Sequence, residues 1–236
     1  MLIAKFFLVA LIGYLLGSIP FGLIISKRKA KIDIRNYGSG RTGGTNVLRT
    51  LGRKAFLMVT TLDMLKGALA VVIAGLVVGR DYLVVGNSGL GLLFAQVIAA
   101  LAAIAGHIWP VFVKFKGGRG VAPFFGGLIA LCPVAGLFGG EALIIGAGLS
   151  GFASLGSIIG AVGAYTILVP LTIMYGFPIE YLGYVLIGNL LILFMHRDNI
   201  KRLLSGKERR LSEKAGQNRS VKSTQAKEQD FKKNPK

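Results

Sequence analysis

The chain has 236 residues, 53% of them hydrophobic and 16% charged, with a mean hydropathy of +0.64. Such a composition excludes an ordinary soluble surface and predicts an integral membrane protein. Twenty-eight basic against ten acidic residues give a net charge of +18, which in a soluble protein would point to nucleic acid; the placement of the charges assigns it to membrane topology instead.

In chain order, Met1 to Ser26 is apolar around Lys5 and runs into Lys27, Arg28, Lys29 and Lys31 without a small-x-small cleavage pattern. It reads as a retained first helix, not a signal peptide. Further apolar runs follow at 55–78, 90–113, 121–138, 140–155, 157–176 and 179–196. A crossing of about 30 Å of hydrocarbon needs roughly 20 helical residues, so the pattern predicts seven crossings and leaves no room for a separate soluble domain. The fourth and fifth come from Val121 to Leu155, either two short helices broken around Pro133 and Gly139-Gly140 or one long kinked one. Segment 27–54 carries nine Lys/Arg, 114–119 three and 197–236 thirteen. Six crossings would put the tail opposite the first basic loop. Seven place all three segments on one face, which the positive-inside rule makes cytoplasmic, with the N-terminus outside. The expected architecture is an all-α integral membrane protein, a seven-transmembrane-helix bundle over 1–210 followed by a basic tail over 211–236. That tail is polar without apolar periodicity, and is expected to be disordered and near anionic lipid.

Inside the second run, Asp63 and Lys66 lie one turn apart, a spacing that allows a local ion pair. They read either as a pair reaching the interface or as a functional pair facing a wet interior. The 34 glycines suit close helix packing. Cys132 alone forms no internal disulfide and, with two histidines in the chain, gives no zinc spacing. Neither a metal nor a cofactor is expected.

Three polar clusters fall on the same predicted face. The first is Gly38-Ser39-Gly40-Arg41-Thr42-Gly43-Gly44-Thr45-Asn46, followed by Arg49. Glycines free the backbone to turn its N–H groups inward while hydroxyl, amide and guanidinium groups add hydrogen bonds and charge, a combination suited to phosphate. If 45–51 is helical, Thr45, Asn46 and Arg49 share a face. It is not a P-loop, because Gly44 stands where the lysine belongs and no strand precedes it. The second cluster is Gly106-His107-Ile108-Trp109-Pro110 with Lys114 to Val121, in which Gly117 and Gly118 lead to Arg119 at the entrance of the fourth helix. Its free N–H groups and dipole would favour an anion. The third runs from His196 to Glu208, with His196 and Asn199 three residues apart and so on one helical face. A helix C-terminus there would favour the protonated imidazole. Ser154 and Ser157, between the fifth and sixth helices, are hydroxyl donors or helix caps.

These strings resemble those of the bacterial acyl-phosphate:glycerol-3-phosphate acyltransferases in sequence, order and loop placement, over about residues 3–208. The resemblance implies a seven-helix inner-membrane enzyme, its site facing the cytoplasm, that moves a fatty acyl group from acyl phosphate to position 1 of glycerol 3-phosphate. The products would be lysophosphatidic acid and phosphate. Its partners would be glycerol 3-phosphate, fatty acyl phosphate and membrane lipids, with no nucleic acid and no cofactor. By the same resemblance Arg49, Arg119, His196 and Asn199 are the catalytic group, and Ser39, Gly43, Thr45, Asn46, Gly117, Gly118, Ser154 and Glu208 bind substrate. The chain departs from the family pattern at Arg41 (usually asparagine), Gly44 (usually alanine), Arg119 (usually lysine) and Pro123 (usually threonine). Either His196 or a substrate phosphate oxygen would take the proton from the attacking hydroxyl. The rival reading is a transporter of an organic phosphate, which would place binding groups near the midplane with access from both faces.

Overall fold

The computed structural model describes residues 2–85 and 88–216. Among them are α1 (Leu2–Ser18), α2 (Phe21–Ala30), α3 (Gly44–Leu51), α4 (Arg53–Val78), α5 (Leu92–Ile108), α6 (Val121–Leu131), α7 (Pro133–Ser150), α8 (Ala153–Tyr175), α9 (Ile179–Met195) and α10 (Arg197–Leu204). A short antiparallel strand pair, β1 (Leu83–Val85) with β2 (Ser88–Leu90), sets Leu83 opposite Leu90.

Among the described residues five stretches are long and apolar enough to cross a bilayer: Leu2–Ala30, Arg53–Val78, Leu92–Val113, Pro133–Ser150 and Ala153–Tyr175. Counting α9 with α10, which meet at a 60° bend, makes six. The eleven-residue α6 is about 16 Å long at the helical rise, short of a full crossing. The apolar run expected at 121–138 is therefore divided. Cys132 leaves the helix at φ −143° and Pro133 opens α7, because proline disfavours helical geometry in the residue before it and suits the first helical position. Gly139 and Gly140, where a break was also expected, lie inside α7.

The chain sorts its polar connections to two ends. Lys5 in α1 pairs with Asp81 beyond α4 at 2.7 Å and marks one end. At the other, the Leu211 amide donates to the Gly151 carbonyl at 2.8 Å and the Ala215 amide to the Arg49 carbonyl at 3.0 Å. The first residues of the tail, through Gly216, are thus tied to the bundle; the rest of the segment expected to be disordered lies outside the described residues.

Short α6 is a wedge in the core. Its Phe124 and Leu128 are fully buried, and Phe124 stacks on Tyr184 of α9 with ring centroids 5.5 Å apart. The Tyr184 hydroxyl donates to the Phe124 carbonyl at 2.9 Å, so the buried phenol is satisfied. Lipid tails are as apolar as leucine and give helices little drive to associate, which leaves close backbone packing to hold them. A Cβ at Gly126 of α6 would collide with the Met64 carbonyl of α4, and one at Gly67 of α4 with the Pro123 carbonyl of α6. Large apolar side chains such as Phe7, Leu76, Leu149 and Ile173 point outward.

Gly126→Ala is expected to lower stability in detergent by about 1–3 kcal/mol, the usual cost of overpacking. Gly140→Ala, where a Cβ meets nothing within 4 Å, should leave it unchanged or raised. Thermal unfolding of the two purified variants checks this, and equal behaviour would refute the α4–α6 contact as a close packing site.

Candidate active site

The first loop is built around one amide. Asn46, buried in the first turn of α3, shares its Nδ2 hydrogens among the carbonyls of Ile34, Tyr37 and Arg41 at 3.1, 3.0 and 2.9 Å, and its Oδ1 accepts from the Ser39 amide at 3.0 Å. The helix predicted over 45–51 is present. Asn46 is turned into the loop as a clasp. Gly38 and Gly40 take positive φ to let the chain wrap it. Gly43 caps α3 with its backbone alone, Thr45 is half-buried, and Ser39 is exposed. Arg49 donates through Nη2 to the Arg209 carbonyl at 2.8 Å, while its buried Nε has no partner among the described residues. It lines an open cavity of about 250 Å³ with Gly38, Arg209 and Glu213 to Gly216.

In the second loop the Gly117 and Gly118 amides donate to the carbonyls of Ile108 and His107 at 3.2 and 3.0 Å. A Cβ at Gly118 would strike the His107 ring, and one at Gly117 the His107 carbonyl. These two glycines shape the loop, and their N–H groups are already used. Gly120, at φ 85°, turns the chain into α6 with Arg119 just before it, where the sequence placed it. The Arg119 Nε is buried without a partner. Arg41 Nη1 donates to the Gly118 carbonyl at 3.3 Å and so joins the first loop to the second.

The third cluster is not one continuous helix. The His196 amide still bonds into α9, its carbonyl accepts from the Ile200 amide, and the axis bends by 60° between them. His196 caps the start of α10 and Asn199 lies in its first turn, and both are buried at the same end. Asn199 Nδ2 and the Ser154 hydroxyl both donate to Glu208 Oε1, at 2.7 and 2.9 Å, and Arg202 Nε donates to Oε2 at 2.8 Å. Glu208 is thus a hook that closes α10 onto the start of α8. Burial would raise its pKa, but the three donors outweigh burial and hold it below the ordinary carboxylate value. Asn199 Oδ1 stays buried and unpartnered.

The His196 ring differs from the expected imidazolium. Burial first, and then the Arg119 charge, push its pKa down to about 4, against the Ile192 hydrogen bond and the Glu208 charge. Its Nδ1 lies 2.8 Å from the Ile192 carbonyl, which only accepts, so Nδ1 carries the hydrogen and Nε2 is left with a lone pair.

The arginines carry the electrostatics. Burial lowers the pKa of Arg41, Arg49 and Arg119 from the usual guanidinium value, and Arg119, with Arg41 beside it, falls to about 10. All remain cationic near neutral pH. Among the described residues none of the three has a carboxylate within ion-pair distance. The starts of α3 and α6 lie close together, a Cβ at Gly43 falling 3.9 Å from Gly118, and α8 begins beside Glu208; helix N-termini carry partial positive charge. The arrangement fits anions. Sequence reasoning left three groups without a role: Arg41, whose only signal was its place in the glycine loop; Arg202, which completes the hook; and the Asp63–Lys66 pair, which packs with His107 deep in the bundle.

Comparison with known proteins identifies the family. A family model described as glycerol-3-phosphate acyltransferase matches residues 7–206. The chain is 70% identical to a glycerol-3-phosphate acyltransferase of Dehalococcoides mccartyi, over 91% of this chain and all of the relative. Its fold is similar to the crystal structure of PlsY, an integral membrane glycerol 3-phosphate acyltransferase, in its glycerol 3-phosphate form: TM-score 0.74 and 37% identity, over 87% of this chain and 94% of that one. The lysophosphatidic acid form of PlsY gives a TM-score of 0.73 at 36% identity, with the same coverage.

The Glu208 hook has a definite pH sign. Because its folded pKa is depressed, its stabilisation is complete above the unfolded value of about 4.5 and is lost as pH falls through the lower folded value. Native protein should therefore lose melting temperature on acidification below that range, and Glu208→Gln should lack that step. A Glu208→Gln melting curve with the native acid dependence would show that the hook does not form.

Proposed function

Because the chain belongs to the glycerol-3-phosphate acyltransferase family, we propose that it transfers a fatty acyl group from acyl phosphate to position 1 of glycerol 3-phosphate, forming lysophosphatidic acid and phosphate. The observation that carries the reading is the cluster of Arg41, Arg49 and Arg119, free of carboxylate partners among the described residues, beside a buried imidazole and amide. Both substrates bring phosphate, and the donor is already activated by its leaving group. The protein's task is to hold two anions together, aim one hydroxyl at one carbonyl and keep water away.

Arg49 and Arg119 hold phosphate and developing negative charge, helped by the first turns of α3 and α6. His196 Nε2 and Asn199 Oδ1 are the acceptors for the attacking hydroxyl of glycerol 3-phosphate. A new ester C–O bond forms, the acyl C–O bond to phosphate breaks, and the hydroxyl proton leaves with phosphate after resting on or near His196. Ser39 and Thr45 orient the acceptor, while Asn46, Gly43, Gly117, Gly118, Ser154 and Glu208 keep the three loops in place. The acyl chain lies among the lipid-facing helices. A phosphate carrier would need access from both ends, whereas the cationic groups gather at one end only.

The topology that accommodates this has seven passes, with α6 a short partial one, the N-terminus outside and the site on the cytoplasmic face of a bacterial inner membrane. The strongest support is the concentration of basic residues in the three loops that meet at the site.

Purified protein given acyl phosphate and glycerol 3-phosphate should yield lysophosphatidic acid with no acyl-CoA or acyl carrier protein present. Arg49→Ala and Arg119→Ala should each reduce kcat/KM at least tenfold, since a charge-assisted contact is worth about 1.5–3 kcal/mol. Replacing Lys232 and Lys233 should do far less. Equal small effects in matched folded protein would contradict the assignment.

The His196 assignment predicts a pH profile. A ring already neutral near pH 7 gives no loss of kcat/KM as pH rises from about 6 to 8, whereas a cationic phosphate ligand would lose efficiency through that range. The comparison of native protein with His196→Gln, corrected for substrate titration, decides between them. A decline toward alkaline pH that the substitution removes would refute the acceptor role.

A further inference from the structure

Resting on the acyltransferase reading above, we infer that the buried cluster Asp63–Lys66–His107 is a positioning device that sets Arg119 against Arg41. Asp63 and Lys66 in α4 and His107 in α5 are only 2%, 3% and 6% exposed. Lys66 Nζ lies 2.7 Å from Asp63 Oδ1, and His107 Nδ1 lies 3.4 Å from the same oxygen, both off the directions of a strict hydrogen bond. Apolar side chains would fill this space without desolvating two ions. Ionisable groups at this depth call for a consequence beyond packing.

The consequence is visible on both sides of the cluster. Lys66 Nζ also donates to the Ile19 carbonyl at 3.1 Å, at the break between α1 and α2. The next turn of α2 presents Gly22, where a Cβ would collide with the Thr42 carbonyl. The placement of α2 therefore sets the chain that carries Arg41. On the other side, Asp63 faces Nδ1 of His107 while the Nε2 edge of the same ring is the surface on which Gly118 is laid. The His107 carbonyl receives the Gly118 amide, so both the ring and the backbone of one residue form the floor beneath Arg119. The two arms meet where Arg41 donates to the Gly118 carbonyl. A shift of the ion pair moves both arms, and with them the separation of two like charges at the anion site.

The test reads the loop directly as well as through turnover. Trp109, the chain's one tryptophan, sits in the linker beside His107, and its carbonyl accepts from the Tyr14 hydroxyl at 2.8 Å. Asp63→Asn should shift Trp109 emission, weaken the emission response to added inorganic phosphate, and lower kcat/KM by about tenfold to a hundredfold, the scale of an ångström misplacement. The loss should appear mainly in KM for glycerol 3-phosphate. Gly118→Ala should cause a similar loss by pressing on the ring. In a His107→Ala background, where the void accepts the added methyl, Gly118→Ala should cost at least about fivefold less.

The inference is overturned by a folded Asp63→Asn protein with native Trp109 emission and phosphate response, or by a Gly118→Ala loss that is the same with and without His107. If Asp63→Asn does not fold, Asp63→Asn/Lys66→Met removes both charges together, and native KM in that variant overturns the inference equally. Absence of product from the native protein would sink the acyltransferase reading, whereas the emission and phosphate-response arms would still decide the positioning role.

Discussion

Positive charge with no carboxylate at ion-pair distance among the described residues governs this molecule. Arg41, Arg49 and Arg119 converge at one end of an apolar bundle, and Arg119 has lost enough solvent that its pKa falls to about 10. The nearby buried carboxylate, Glu208, is already held by Ser154, Asn199 and Arg202. Charges of one sign in a poorly solvated setting repel strongly, so the arrangement needs an anion to complete it. The loops that read as phosphate cradles in sequence are also braced from within, and one of their bonds, Arg41 to the Gly118 carbonyl, ties the first loop to the second. Asn46 binds four backbone groups of its own loop, and the Gly117 and Gly118 amides bind the end of α5.

Broken helices put the site at the end of the bundle. Irregular backbone at membrane depth is tolerated only where protein satisfies it, and each break here has its partner. The α1–α2 break delivers a carbonyl to Lys66, and the α9–α10 bend leaves the His196 carbonyl to start a new helix. At the α6–α7 break, Cys132 accepts from the Gly136 amide through its carbonyl, while its own amide still bonds to Leu128. Short α6 also brings a helix N-terminus to Arg119 while its body, through Phe124 and Leu128, remains in the core.

Hydropathy made the long elements legible. The runs read at 55–78, 157–176 and 179–196 correspond closely to α4, α8 and α9, because a lipid-exposed helix must be apolar over most of its length. Basic-residue spacing also brought the three loops together correctly. Local spacing was less informative about partners: three residues between His196 and Asn199 said nothing of the 60° bend at His196 or of the Asn199 bond to Glu208. The inward turn of Asn46 depends on carbonyls as far back as Ile34. Asp63 and Lys66 were visible as a pair, but the third member, His107, comes from a different helix.

The same charge imbalance explains how the proposed reaction would avoid wasting an activated donor on water. His196 and Asn199 are almost fully buried, so bulk water has little access to the acceptors Nε2 and Oδ1. In that proposed reaction glycerol 3-phosphate would bring an anion that relieves the repulsion among the arginines, with its hydroxyl tethered to that anion. Water offers the hydroxyl chemistry without the charge. Part of the binding energy of phosphate can therefore order the guanidiniums around the acyl carbonyl, which turns recognition at one end of the acceptor into a lower barrier at the other.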